Sequence, residues 1–292
     1  MNLACAGSAG VENWQVNSDL HQLEQDEFVI TDSRDYAYLQ VCQPVSDLSE
    51  IRKQAEYLYR KALQLTQTIE KSRLVRIWNY IPQINAGEGD EECYRQFCWG
   101  RADALGNTSL PAATGIGSRD GVLRIGILCT HPDSTPAHLQ IRHQENPRQL
   151  SAYNYPRAYG PRSPSFARAT LISTRRDTQV QPGNPSALLL LSGTASIVNH
   201  QSRHPGDLSK QSEETAANIQ TLLSTLGSPA TPLGLRYYLR DEKRLSEAID
   251  GWHKHFADWP LPSFLLGDIC RSELEMEVEG CLLYTSPSPR DS

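Results

Sequence analysis

Apolar residues recur along the chain in two rhythms. Ile51, Ala55, Leu58, Ala62, Leu65 and Ile69 fall at steps of four and three, which predicts a helix over 47–72 with one apolar stripe turned to a core. Asp47, with Glu50 three residues on, supplies its capping pair. Short strands are predicted at Phe28–Ile30 and Tyr36–Cys42. Val75, Ile77 and Asn79 alternate with Arg76, Trp78 and Tyr80, so a strand runs from Leu74 until Pro82 stops it. Tyr94, Phe97, Cys98 and Arg101 fit a short helical segment, and Val122–Cys129 fits a strand. Pro111–Gly117 (PAATGIG) is Gly-rich but lacks both the lysine of a phosphate loop and GxGxxG spacing. It is expected to be a close-packed turn.

Pro132 and Pro136 mark a break near 131–140. Beyond it, Ala187–Leu191 is a continuous apolar run, read as a buried strand that ends in Ser-Gly-Thr-Ala-Ser (192–196). A helix over 208–226 carries Ala216, Ile219, Leu223 and Leu226 on one face, with Gly227 as its C-cap. Leu235–Arg240 is a strand, Asp241 caps a helix bearing Leu245, Ile249, Trp252 and Phe256, and Leu274–Glu279 alternates as a last strand. This order predicts one sheet with both helices packed on a single face. The chain is therefore expected to be α+β with two domains, 1–138 and 139–280. From Cys281 the pattern breaks into CLLYTSPSPRDS, which resembles the in-frame translation of a sequencing adapter, and 281–292 are excluded from the expected fold as non-native.

Composition narrows the function classes. The chain has 292 residues, 39% of them hydrophobic and 21% charged, enough for a substantial core. A net charge of −6 argues against a nucleic-acid or anionic-membrane surface. No apolar run reaches the ~18 residues of a membrane span. Seven cysteines without CxxC spacing read as reduced thiols of a cytoplasmic protein. His200 and His204 are four apart, but Pro205 and Gly206 spoil the helix that would align them, so no metal site is expected. Neither GxSxG nor HExxH occurs.

Two stretches carry candidate chemistry. Tyr153–Thr170 (YNYPRAYGPRSPSFARAT) holds three tyrosines, three arginines, three prolines and no acid. Its prolines predict a stiff, non-helical ribbon, and arginine forks beside tyrosine hydroxyls suit a planar carboxylate. A solvated surface loop is the competing reading. Glu275, Glu277 and Glu279 share one face of the last strand. That face is either solvated, or one acid lies in an apolar cleft, held protonated as a general acid. Cys270, seven positions before Glu277, reads as core unless a base adjoins it.

Several blocks in order resemble the chorismatase family, the enzymes that remove pyruvate from chorismate: RIWNYIPQIN (76–85), YRQFCWGRADAL (94–105), PAATGIG (111–117), the block 145–170, the block 189–223 and DICRSELEMEVEG (268–280). The SGTAS…GD…Q…N…L pattern and the final EVE also resemble the RidA/YjgF fold, which the resemblance implies for the C-terminal half. The resemblance implies a cofactor-independent enzyme with chorismate as small-molecule substrate and no metal. Glu277 matches the catalytic acid, and Tyr155, Tyr159, Arg162 and Arg168 lie in the block that shapes the substrate pocket. Gly193, Ala195 and Cys270 are the remaining implied pocket residues. Cys270 favours members that aromatise the ring to 3- or 4-hydroxybenzoate, whereas Ala195 is more like the hydrolases that give a dihydroxycyclohexadiene carboxylate. The expected activity is a hydroxybenzoate synthase. A RidA-like enamine or imine deaminase and a non-catalytic metabolite-binding protein are the alternatives. Oligomeric state is not legible.

Overall fold

The computed structural model describes residues 4–8, 11–16, 18–68, 73–106, 108, 110–130, 139–174, 186–227 and 230–285. Ala4–Ser8 (β1) and Val11–Gln15 (β2) form a hairpin. His21–Gln25 (β3), Phe28–Asp32 (β4) and Tyr36–Pro44 (β5) follow as an antiparallel meander. Asp47 caps a single 3₁₀ turn at Leu48–Glu50 that leads into the helix Ile51–Thr68 (α1). The predicted stripe is its inner face: Ile51, Ala55, Leu58, Ala62 and Leu65 are all buried, and Ile69 lies outside the described residues. Arg73–Pro82 (β6), Cys93–Leu105 (α2), Ala112–Ser118 (β7) and Val122–Thr130 (β8) complete this part.

Residues 111–117, expected as a turn, are instead mostly β7, a strand parallel to β6. Its glycines serve close packing across the strand. A Cβ on Gly117 would stand 2.7 Å from both Asp268 Cβ and Ile84 Cγ2, and one on Gly115 would touch the Tyr94 ring at 3.4 Å. A Gly-rich string reads as a turn when only flexibility is considered; here neighbouring side chains occupy the missing volume.

The second part runs Leu139–Gln144 (β9), Ala169–Thr174 (β10), Ser186–Thr194 (β11), Ile197–Val198 (β12), Gln201–Ser202 (β13), Leu208–Ser224 (α3), Ala230–Leu239 (β14), Leu245–His255 (α4), Ser263–Leu266 (β15), Asp268–Ile269 (β16) and Met276–Thr285 (β17). The ribbon from 153 is not wholly extended: single 3₁₀ turns form at Ala152–Asn154 and Arg157–Tyr159 before β10. Asp207 caps α3 by accepting the Lys210 N–H, and Gly227 takes φ 74° after its end.

Strands gather into a seven-stranded sheet, β16-β7-β6-β8-β5-β4-β3, and a six-stranded sheet, β15-β14-β17-β11-β10-β9. Helices α1 and α2 cover one face of the first, against Phe28, Leu39 and Ile77. Helices α3 and α4 cover one face of the second, against Leu189, Leu235 and Val278. The uncovered faces meet through Val75, Trp78 and Leu128 on one side and Ile172, Leu188 and Cys281 on the other. The architecture is thus α+β, helices–sheet–sheet–helices, and its two sheets bury one another as each needs. Strand β16 belongs to the later part of the chain yet pairs with β7 in the earlier sheet. Among the described residues no helix is long and apolar enough to cross a membrane.

Two expectations about the last strand change. It starts at Met276, one residue past Glu275, and does not stop at 280: Cys281, Leu282 and Tyr284 are buried and pair with both β11 and β14. The apolar CLLY segment, set aside with 281–292, therefore fills sheet and core positions as far as 285, while 286–292 lie outside the described residues.

Candidate active site

A cavity of about 420 Å³ lies between the sheets beside the bulge in β11. Residues 276–279 alternate: Met276 and Val278 turn to the helices, and Glu277 and Glu279 to the space between the sheets. The acids are thus not a solvated face; Glu277 is 4% exposed and Glu279 2%. Glu275 precedes the strand and departs from them, its carboxylate 3.6 Å from Arg244.

The two buried carboxyls are pushed apart in acidity. Burial would raise Glu279, but the Arg76 and Arg236 guanidiniums, with hydrogen bonds from Thr114 and Tyr238, outweigh it and hold this group below the usual range. It is the fixed anion of the pair. Glu277 also suffers burial, and the adjacent Glu279 charge adds to it; Arg76 and Arg168 oppose both, and the balance lifts Glu277 to about 8. A carboxyl so raised is protonated at neutral pH and can donate.

Gly193 makes room for this acid. It sits in the irregular step between Leu191 and Thr194 of β11, and a Cβ there would overlap Glu277 Oε1. Ala195 lines the same wall and its carbonyl accepts from Asn218 at 3.1 Å.

The ribbon supplies the opposite wall. Arg168, 3% exposed, donates to the Leu150 carbonyl at 2.7 Å and to the Tyr155 hydroxyl at 2.9 Å. Tyr159 contacts His200 Nδ1 at 3.2 Å through its hydroxyl, and the Arg271 guanidinium lies 4.2 Å from the centre of its ring. Cys270 lines the cavity as well; burial first, then the Glu277 charge, raises its thiol far above the ordinary value, so it is no thiolate nucleophile.

Of the residues singled out from sequence, the structure gathers Glu277, Tyr155, Tyr159, Arg168, Gly193, Ala195 and Cys270 around this one cavity. It does not bring Arg162 with them. That side chain is 61% exposed and sits 3.6 Å from Asp103, because the stretch after Gly160 turns its guanidinium outward to an acid on α2. Arg101, which sequence reasoning passed over, lines the cavity. It is 3% exposed and donates to the Ser165 carbonyl. A signal was present: a cation on the face of α2 that carries Phe97 and Cys98 has no reason to be there as a solvated group. Thr114 carried no such signal.

Neither Arg101 nor Arg168 forms an ion pair among the described residues, and the Nε of each is buried without a hydrogen-bond partner. Buried cations left this way are costly unless an anion completes them. With Glu277 neutral, four lining arginines (95, 101, 168 and 271) face two remaining carboxylates, Glu92 and Glu273, so the cavity favours an anionic guest. The arrangement can hold a small anion and protonate it.

Known proteins resemble this chain over most of its length. Residues 12–129 match the family described as Chorismatase FkbO/Hyg5-like, N-terminal. A 3-hydroxybenzoate synthase of Streptomyces hygroscopicus is 32% identical over 288 residues, covering 93% of this chain and 81% of that protein. A chorismatase of Streptomyces rapamycinicus is 34% identical over 239 residues, covering 76% of this chain and 68% of its own length. The crystal structure of a chorismatase superposes with a TM-score of 0.78 at 28% identity, covering 93% of this chain and 82% of that one. With 32% identity to one such enzyme over 93% of its length, this chain is a member of the chorismatase family of enzymes.

Proposed function

We propose that this protein cleaves the enolpyruvyl ether of chorismate, releasing pyruvate and a hydroxybenzoate. The observation that carries the reading is Glu277, a buried carboxyl raised to about 8, set across a cavity from two buried arginines that form no ion pair among the described residues. Chorismate is a dicarboxylate, and Arg101 and Arg168 supply the guanidinium forks for it. Glu277 gives its proton to the terminal methylene carbon of the enol ether. The electron pair of that double bond forms the new C–H bond and leaves an oxocarbenium ion. Holding the carbon against the acid lowers the barrier by positioning, and the ionised carboxylate left on Glu277 lies beside the new cation.

Hydroxybenzoate and pyruvate together account for every atom of chorismate, so the aromatising route needs no added water. The hydrolytic route adds one water and gives a dihydroxycyclohexadiene carboxylate. Cys270 at the cavity wall and the likeness to a 3-hydroxybenzoate synthase favour the aromatising route. Ala195 favours the hydrolytic one, which is the second reading. The test is to incubate purified protein with chorismate, assay pyruvate and separate the ring products by chromatography. Expected are pyruvate and 3- or 4-hydroxybenzoate in equal amounts, with kcat lowered roughly 10²–10⁴-fold by Glu277→Gln. A diene-diol product would select the second reading; no pyruvate, or a Glu277→Gln protein of native turnover, would sink both.

A further inference from the structure

Beside the cavity, the two sheets are stitched together by hydroxyl groups of β7, β10 and β11. Thr170 Oγ1 accepts the Ala112 N–H at 2.8 Å, Ser192 Oγ accepts the Ala113 N–H at 2.9 Å, and Thr114 Oγ1 accepts the Gly193 N–H at 3.0 Å. Thr114 differs from the other two in what else it holds. Its hydroxyl also accepts from Arg76 at 2.5 Å and donates its proton to Glu279 Oε2. Two accepted bonds and one donated bond use the full capacity of a hydroxyl. The residue is 3% exposed and lines the cavity. Its partner Gly193 is the position whose missing side chain leaves room for the Glu277 carboxyl.

We propose that Thr114 is a positioning residue for the reaction, its single hydroxyl locking the Ser192–Thr194 bulge to the Glu279 ion cluster and so holding the Glu277 carboxyl over the cavity. The inference rests on the function proposed above, in which Glu277 is the proton donor. Valine keeps nearly the shape of threonine but would leave the Gly193 N–H without an acceptor and Glu279 short of one donor. Serine keeps the hydroxyl and drops only a methyl group.

Thr114→Val and Thr114→Ser in the full chain separate these roles. With chorismate as substrate, Thr114→Val should lower kcat by roughly 10²-fold, the scale of a misplaced reacting group, with little change in KM. The alkaline limb of its kcat/KM profile should stay in place, because Arg76, Arg236 and Tyr238 still hold Glu279 as the anion beside Glu277. Thr114→Ser should restore kcat. A readout independent of turnover is hydrogen exchange of the Gly193 amide, which should quicken at least tenfold in Thr114→Val and stay slow in Thr114→Ser. Native kcat in Thr114→Val, a serine variant as impaired as the valine one, or an unchanged Gly193 exchange rate would each overturn the proposal. Should wild-type protein release no pyruvate, the function falls, and the exchange rates still decide whether Thr114 holds the bulge.

Discussion

Gly193 and Glu277 meet so closely that neither can be considered alone. A methyl group on Gly193 has to displace a carboxyl that is itself walled in, and rigid surroundings give little ground. Gly193→Ala is therefore expected to reduce turnover of chorismate by at least 10²-fold while far-ultraviolet circular dichroism stays native, since the loss is one of aim. Acidity makes a second claim at this scale. Glu277 donates only while protonated, so kcat/KM should hold through neutral pH and decline above about 8, as the group loses its proton. The same elevation costs stability in alkaline solution: the unfolded chain releases this proton near the ordinary glutamate value of about 4.5 and the folded one does not, so folding is opposed increasingly between about 4.5 and 8. A pH–rate profile and thermal midpoints measured at pH 5 and pH 8, for wild type and Glu277→Gln, check both; the variant should gain on the wild type at the higher pH.

Among the elements, β17 does the most. Its odd positions carry the acids, its even ones meet α3 and α4, and its far end pairs with two strands at once. Leu282 is fully buried there, so Leu282→Ala should cost about 2–5 kcal/mol, measured by urea denaturation. This strand also shows where a sequence stops being informative. Period-two alternation gave the Glu277 and Glu279 face, and helical spacing gave α1, α3 and α4, because those periods follow from local geometry. Local rules could not say whether an acidic face looks at water or at a second sheet. The same gap explains β7: nothing within PAATGIG reveals that Tyr94, Ile84 and Asp268 will take up the space its glycines leave. In the site, the ribbon's composition announced Arg168 and Tyr155, yet one register of turns separates an arginine in the cavity from Arg162 on the surface. Residues 281–285 continue the sheet, which the change of composition after Gly280 did not announce.

At the scale of the whole molecule, the sheets are joined by charge as well as by packing. Arg76 of β6 reaches across to Glu279 of β17, both 2% exposed. Removing one member of such a pair strands the other, at about 3–5 kcal/mol. Arg76→Leu should therefore lower the thermal midpoint sharply at pH 7. The loss should shrink as pH falls toward 4, because Glu279, held below its usual range, adds stability only above its unfolded value and forfeits it on protonation.

Because α2, β7, the ribbon, the β11 bulge, the segment after β16 and β17 each contribute to one cavity, that cavity has no early form. Since β17 lies between β14 and β11, the second sheet cannot close before that strand pairs, so the anion site and its proton donor are completed in one step.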